Sequence, residues 1–228
     1  MPNDRIALVI GNADYQHATA LETPVNDALK MADALDRLGF QVKMAQNCTI
    51  SEFQRVLRGF SERIAGASVA LFYYSGHALQ YDGDNYLIPV DARLEAVDDL
   101  DRLAFQVMPR LKTMRSKAAV SLVFLDACRD DPFKLDQKGL PEGTKRVIVK
   151  QIGLREIPDT ELRDALIAFA AEEGNTAADG EPGDLSPFTK ALCEHIETPG
   201  LEVTKMMQRV KKSVREATGS KHRGPMIP

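Results

Sequence analysis

The sequence predicts an α/β protein built on a mostly parallel central sheet of six strands. Two observations in this chain of 228 residues lead to that prediction. Continuous apolar runs of strand length alternate with segments whose apolar residues recur at helical spacing. Each apolar run also feeds a polar loop, and the carboxyl ends of strands are where open α/β sheets bind ligands. We therefore expect the functional residues at that edge of the sheet.

The elements follow in order along the chain. Thr23-Pro24 opens the first helix because proline is favoured in a first helical turn, and Gly39 ends it. Ser51 with Glu52 begins the second helix. Apolar runs predict strands at 5–10, 40–45, 68–74, 120–126 and 164–170, and Asp82-Gly83 predicts a hairpin inside the loop after the third. Helical spacing predicts helices at 23–38, from 51 onward, and at 105–114, 187–197 and 202–217.

Composition excludes several classes of partner. The chain is 44% hydrophobic and 27% charged, and its net charge of −4 predicts no nucleic-acid or membrane surface. No apolar run approaches the ~20 residues of a membrane span, and "MPNDRIALVIG" does not match a signal peptide. Three cysteines, an odd number, fit a reducing compartment. We expect a cytoplasmic location and a single domain over residues 1–228.

A histidine and a cysteine follow two strands that are both apolar enough to be central. His77 lies in "YYSGHA" and Cys128 in "FLDACRD", where a thiol stands among charges. If the strands are neighbours, an imidazole and a thiol meet at one edge, which is the pairing of a base with a nucleophile. Either residue alone is more typical of an inert core position. Flexible Gly76, the surrounding charges and the two strand ends together favour chemistry.

These residues carry a resemblance. "ALVIGNADY", "PVNDALKMADALDRLGF", "VALFYYSGHALQYDGDNYLIPVDA" and "VFLDACRDDPF" are similar to the caspase-like cysteine peptidases, in the metacaspase and bacterial orthocaspase branch. The resemblance is strong over 5–133 and weaker beyond. It implies a three-layer α-β-α sandwich, with a large part at 1–133, an exposed connector at 134–158 and a small part at 159–228.

The resemblance also implies peptide-bond hydrolysis through an acyl-enzyme. Cys128 would attack the carbonyl, and His77 would protonate the leaving amine and activate water. The backbone N–H groups of Cys128 and Ala78 would form the oxyanion hole. Relatives often have glycine at the second position, but alanine keeps the N–H. The family uses no cofactor in this chemistry; we expect no metal site, and a calcium requirement is not expected in this branch.

Substrate preference is implied by three further positions. In the metacaspase branch the pocket for the residue before the cut bond is lined by residues that correspond to Asp27, Ser75 and Asp126. Two carboxylates favour a cationic side chain, so the resemblance implies cleavage after Arg or Lys. Two simpler interpretations stay open: Asp27 could only stabilise a helix N-terminus, and Asp126 could only cap a turn. The acidic pair Glu172-Glu173 could shape a neighbouring subsite.

The connector is rich in basic residues, so an Arg/Lys-specific peptidase could cut itself there. An ordinary solvated loop would look the same. The candidate positions for self-cleavage are Lys134, Lys138, Lys145, Arg146, Lys150 and Arg155. As partners we expect peptide or protein substrates, a monomeric state, and a regulatory domain or partner outside this chain.

Two rival functions stay open. A caspase-like pseudoenzyme would serve as an interaction module, although the presence of both His77 and Cys128 speaks against it. A phosphorylated receiver domain also has a strand like "LVFLDA", but it needs an acidic pair after the first strand. This chain offers only Asp14, and that function would give His77 no role. His17, His195 and His222 have no companion cysteine or carboxylate cluster at metal-ligand spacing, and we expect Cys48 and Cys193 to be ordinary packing residues.

Overall fold

The computed structural model describes residues 4–81, 84–128, 165–170 and 183–218. These ranges contain seven strands: β1 Arg5–Gly11, β2 Phe40–Gln46, β3 Val69–Tyr81, β4 Asp84–Leu87, β5 Phe105–Gln106, β6 Val120–Cys128 and β7 Ala165–Phe169. The longer helices are α1 Pro24–Arg37, α2 Ile50–Arg63, α4 Val107–Lys117, α5 Pro187–Ile196 and α6 Val203–Ala217, with a short α3 at Leu100–Leu103. The connector, its six basic residues and Glu172-Glu173 lie outside the described ranges.

Five strands form a parallel sheet in the order β2-β1-β3-β6-β7. The end of β3 runs on beyond this sheet and pairs antiparallel with β4, which pairs in turn with β5. The predicted α/β class and mostly parallel sheet are confirmed. Seven strands are found in the described ranges rather than six, and the two-residue β5 is too short to leave a pattern in the sequence.

Helices cover both faces of the sheet, which gives the three layers. On one face α1, α5 and α6 pack against alternate strand residues such as Val9, Tyr73 and Phe124. On the other face α2 and α4 pack against the intervening residues, such as Leu8 and Tyr74. This alternation follows from the two-residue period of a strand, and it buries apolar side chains on both faces. None of the helices in the described ranges combines the length and hydropathy of a bilayer span.

The predicted starts of two helices are wrong. Helix α2 begins at Ile50, one residue early, because Thr49 rather than Ser51 is its cap: the Thr49 hydroxyl accepts from the Glu52 N–H and the Glu52 carboxylate accepts from the Thr49 N–H. The helix predicted from residue 105 begins at Val107, after β5, which puts Pro109 in the first turn where its missing N–H costs nothing.

The third strand was predicted to end at residue 74, but β3 continues to Tyr81. The polar letters "SGH" read as a loop because they break the apolar run. Their backbone nevertheless stays extended, since β3 pairs with β6 as far as His77 and with β4 from Ala78 onward. The predicted hairpin is present in the pairing of Tyr81 with Asp84, although its two turn residues are outside the described ranges.

Candidate active site

His77 and Cys128 occupy paired positions on neighbouring parallel strands. Cys128 is the last residue of β6, and its register partner in β3 is His77. Two positions earlier on the same strands, Ser75 is the partner of Asp126. Adjacent strands lie about 4.8 Å apart, so the two residues of each pair are backbone neighbours. The expectation that His77 follows its strand is wrong, because it lies within β3; the parallel pairing of β3 with β6 does end there.

The backbone and ring of His77 are held by neutral groups. Its N–H donates to the Tyr15 hydroxyl at 2.7 Å, and the Tyr15 ring lies 4.4 Å from the imidazole, centroid to centroid. The imidazole Nε2 is 2.7 Å from the Thr19 carbonyl oxygen. A carbonyl oxygen can only accept, so Nε2 carries the proton in this contact and the lone pair is on Nδ1. The neutral ring is thereby held in the tautomer whose Nδ1 can take a proton.

A second tyrosine fixes the backbone at the histidine. The Tyr74 hydroxyl lies 2.8 Å from the His77 carbonyl oxygen and 3.1 Å from that of Ile88. Burial raises the pKa of Tyr74 well above its ordinary value, so the phenol stays a donor. The Tyr15 and Tyr74 hydroxyls also contact each other at 3.2 Å.

Gly76 is required by this arrangement. Its φ of +151° is one that side chains rarely adopt, and an added Cβ would lie 2.7 Å from the hydroxyls of both Tyr15 and Tyr74. No other residue type fits between the two phenols without moving them. The glycine next to the histidine therefore serves close packing, where the sequence suggested flexibility.

Asp27 lies in a buried site beside β3. Helix α1 carries it in its first turn, and its carboxylate accepts from the Ser75 hydroxyl at 3.1 Å and from the Ser186 N–H at 2.9 Å. Burial, and next the charge of Asp126, raise the pKa of Asp27 to about 8. The simpler interpretation of Asp27 as a residue that stabilises a helix N-terminus fits its place in the first turn of α1, and its side chain is also buried.

Asp126 shares the site and accepts hydrogen bonds from hydroxyls. Its Oδ2 accepts from the Ser186 hydroxyl and, at 2.5 Å, from the Thr189 hydroxyl. The Tyr73 hydroxyl is 3.5 Å from the same oxygen and 2.5 Å from the Thr189 hydroxyl. Burial, and next the charges of Asp126 and Asp27, raise the pKa of Tyr73 well above its ordinary value. We call the two carboxyl groups of Asp27 and Asp126 the acid pair.

Ser186 connects the two carboxylates. Its N–H serves Asp27, its hydroxyl serves Asp126, and the same oxygen caps α5 by accepting from the Thr189 N–H at 2.9 Å. Sequence reasoning identified neither Ser186 nor Thr189 as a site residue. The only signal was Ser186 before Pro187, which marks a helix start. A helix cap and a site residue look alike in a sequence.

The remaining predicted positions are located less completely. Ala78 is buried in β3 and pairs with Leu87 of β4, and the oxyanion role of its N–H stays a prediction.

Cys48 and Cys193 are buried, and burial raises their thiol pKa values to about 11 and about 12, which fits packing residues. No group of three metal-ligating side chains occurs in the described ranges, and the calcium expectation stays a prediction.

The sequence comparisons identify the family of the chain. The caspase domain family matches residues 4–227, so the chain belongs to the caspase family, whose members are cysteine peptidases. It is 28% identical over 130 residues to the human mucosa-associated lymphoid tissue lymphoma translocation protein 1. The matched region covers 57% of this chain and 15% of that protein.

Two caspases are similar as well. Rat caspase-1 is 32% identical over 132 residues, 56% of this chain and 31% of the relative. Mouse caspase-1 is 25% identical over 213 residues, 85% of this chain and 48% of the relative. The matches thus span about half or less of the length of each of these relatives.

Proposed function

We propose that this protein is a cysteine endopeptidase that cleaves after Arg or Lys through a Cys128–His77 dyad. The observation that supports this most is the register of β3 and β6, which pairs His77 with Cys128 and, two positions earlier, Ser75 with Asp126. Membership of the caspase family supports the cysteine-peptidase chemistry. The buried carboxylates near these strand ends support the preference for a cation.

In the proposed reaction the Cys128 thiolate attacks the scissile carbonyl. His77 accepts the thiol proton on Nδ1, because Nε2 is occupied by the Thr19 carbonyl, and passes it to the leaving amine. The released peptide amine departs and leaves a thioester on Cys128. His77 then takes a proton from water, which hydrolyses the thioester and frees the enzyme. The N–H groups of Ala78 and Cys128 stabilise the oxyanion.

The acid pair provides the proposed specificity. Burial, and next the charge of Asp126, keep a proton on Asp27 near neutral pH. A guanidinium or ammonium group that enters the pocket favours release of this proton to solvent and pairs with both carboxylates. Arg is favoured over Lys because a planar guanidinium can bridge two oxygen acceptors. A substrate with Asp at this position would place another negative charge beside Asp126.

Further parts of the proposal rest on sequence composition, sequence pattern and the family resemblance. They are membership of the metacaspase or orthocaspase branch, self-cleavage in the connector, a monomeric and calcium-independent enzyme, a cytoplasmic location, and a regulatory partner. Intact mass of the purified protein, measured with time, tests self-cleavage. The appearance of two fragments whose masses match a cut after one of the six basic residues supports it.

The experiment for the dyad compares the protein with Cys128→Ala and His77→Ala on a fluorogenic peptide that ends in Arg at the cleavage point. We expect each variant to lose at least about a thousandfold in kcat/KM, as nucleophile and base variants do when they act as a unit. The assay is run with calcium and with a chelator. Cys48→Ala is the matched control, because Cys48 is a buried thiol outside the site, and it should retain activity within about twofold.

Other results would contradict the proposal. Activity that survives in Cys128→Ala would remove the nucleophile from the mechanism. An inactive parent protein that is folded, in both calcium and chelator, would favour the pseudoenzyme. Activity on a peptide that ends in Asp would leave the dyad in place and refute the role of the acid pair.

A further inference from the structure

A cavity lies between α2 and α4, on the face of the sheet opposite Asp27. Its volume is about 220 Å³. At one end the Lys117 ammonium of α4 donates to the Ser61 carbonyl and hydroxyl of α2, at 2.8 and 2.9 Å, which ties the two helices together. The described residues that line the cavity are Gln54, Leu57, Arg58, Phe60, Ser61, Ile64, Phe72, Phe105, Arg110, Thr113 and Met114.

The floor of the cavity is apolar. Phe72 of β3 and Phe60 of α2 are buried, and so are Ile64 and Met114. Phe105 is fixed by stacking on Phe53, with centroids 4.5 Å apart and planes within 10°. Such a surface favours an apolar body over water, because a water molecule would find few polar partners there.

The rim of the cavity is cationic. Arg58 of α2 and Arg110 of α4 line it from opposite helices, and none of the described lining residues is acidic. Neither guanidinium is in an ion pair with a carboxylate of the described residues; Arg110 instead lies over the Phe105 ring, 5.9 Å from its centroid. Two arginines that face an apolar cavity without an acid between them complement an anion.

We propose that this α2–α4 cavity is a binding site for a small amphipathic carboxylate, such as a medium-chain fatty acid. The aliphatic chain fills the phenylalanine-lined floor, and the carboxylate binds Arg58 and Arg110 at the rim. The volume of about 220 Å³ is below the roughly 300–1,000 Å³ of drug-sized sites, so it selects a short chain. The site is separate from the dyad and the acid pair, and the proposal does not depend on peptidase activity.

Octanoate is the probe, and binding to the full chain is measured by titration calorimetry and by the methyl NMR shifts of Met114 and Ile64. We expect saturable binding with shifts at both methyl groups. The double variant Arg58→Gln/Arg110→Gln should bind at least about tenfold more weakly, the effect of losing a charge-assisted hydrogen bond. Octylamine, with the same chain and the opposite charge, should not bind.

The matched control is Arg55→Gln/Lys112→Gln, which removes two positive charges from the same helices at positions outside the cavity lining. It should bind octanoate as the parent does. Absence of saturable binding would overturn the proposal. So would equal weakening in both double variants, which would indicate a general charge effect, or octylamine binding as tight as that of octanoate.

Discussion

His77 and the acid pair lie near the same ends of β3 and β6 but are held by different chemistry. His77 is held by two tyrosine hydroxyls and a carbonyl oxygen, all uncharged, in contacts of 2.7 to 2.8 Å. Asp27 and Asp126 are held by hydroxyl and N–H donors while each destabilises the charge of the other. The contacts of the histidine thus fix its position, whereas the surroundings of the acid pair set its state of protonation.

This difference separates the expected failures of the two regions. Steric changes near the histidine should alter its position and leave its proton chemistry intact. Changes in the acid pair should alter charge, substrate affinity and the pH dependence of stability, with little effect on backbone position. Each of the following variants changes only one of the two regions.

Gly76→Ala should have the largest effect on stability. The new Cβ meets two buried hydroxyls at 2.7 Å, at a φ of +151°. We expect a loss of about 2–4 kcal/mol in the free energy of unfolding, measured in urea, from backbone strain together with overpacking. Activity should fall about a hundredfold or more, because a displacement of about 1 Å at a reacting group costs that much.

Gly59→Ala is the control for Gly76→Ala. Gly59 lies within α2, and an added Cβ would meet no atom within 4 Å. Alanine is the better helix former, so this variant should be stabilised by about 0.5–1 kcal/mol. If Gly76→Ala is as stable and as active as this control, the account of the two-tyrosine support is wrong.

Asp27→Asn should change how stability depends on pH. Folding raises the pKa of Asp27 from 3.8 to about 8. Between those values the folded protein binds more protons than the unfolded chain, so this carboxyl makes stability fall as pH rises. Its contribution is complete below pH 3.8 and is lost as pH passes about 8.

Asparagine has no such titration, and it can still accept from the Ser186 N–H and donate to the Ser75 hydroxyl. The stability of Asp27→Asn relative to the parent should therefore increase between pH 5 and pH 8, as measured by urea unfolding at each pH. A difference that is constant across this range would mean that Asp27 titrates normally in the folded protein.

Thr189→Val should have the smallest effect. It keeps the shape of the side chain and removes one hydroxyl, 2.5 Å from Asp126. We expect a loss of about 1–3 kcal/mol in stability and a few-fold increase in KM for an Arg peptide, with kcat little changed. Thr218→Val, which removes a hydroxyl at the end of α6, is the control and should leave KM unchanged. A loss confined to kcat would contradict the assignment of Thr189 to substrate binding.

Local patterns predicted most of the fold. The helix opened by Thr23-Pro24 begins at Pro24, and Gly39, with φ +77°, follows its end as expected. The extended course of β3 through Ser75, Gly76 and His77 was missed, because it depends on pairing with β6 rather than on an apolar pattern. Register of this kind is a tertiary property that a single polar stretch does not reveal.

The candidate site shows the same limit. Asp27, Ser75 and Asp126 were identified through a family resemblance, and they do lie together. The groups that complete their environment come from distant sequence: Ser186 is 159 positions from Asp27 and 60 from Asp126. A serine before a proline predicts a helix cap, and only folding brings that cap onto two carboxylates. Tyr15 and Thr19 reach His77 from a loop in the same way.

The most direct test of the central claim compares two peptides that differ only at the residue before the cut bond, Arg in one and its neutral isostere citrulline in the other. The account predicts at least about a hundredfold higher kcat/KM for the Arg peptide, the worth of about two charge-assisted contacts. Asp27→Asn/Asp126→Asn should lose most of that preference and still cleave through Cys128. Equal rates on the two peptides in the parent protein would contradict this result, since the acid pair would then not distinguish a charged side chain from a neutral one.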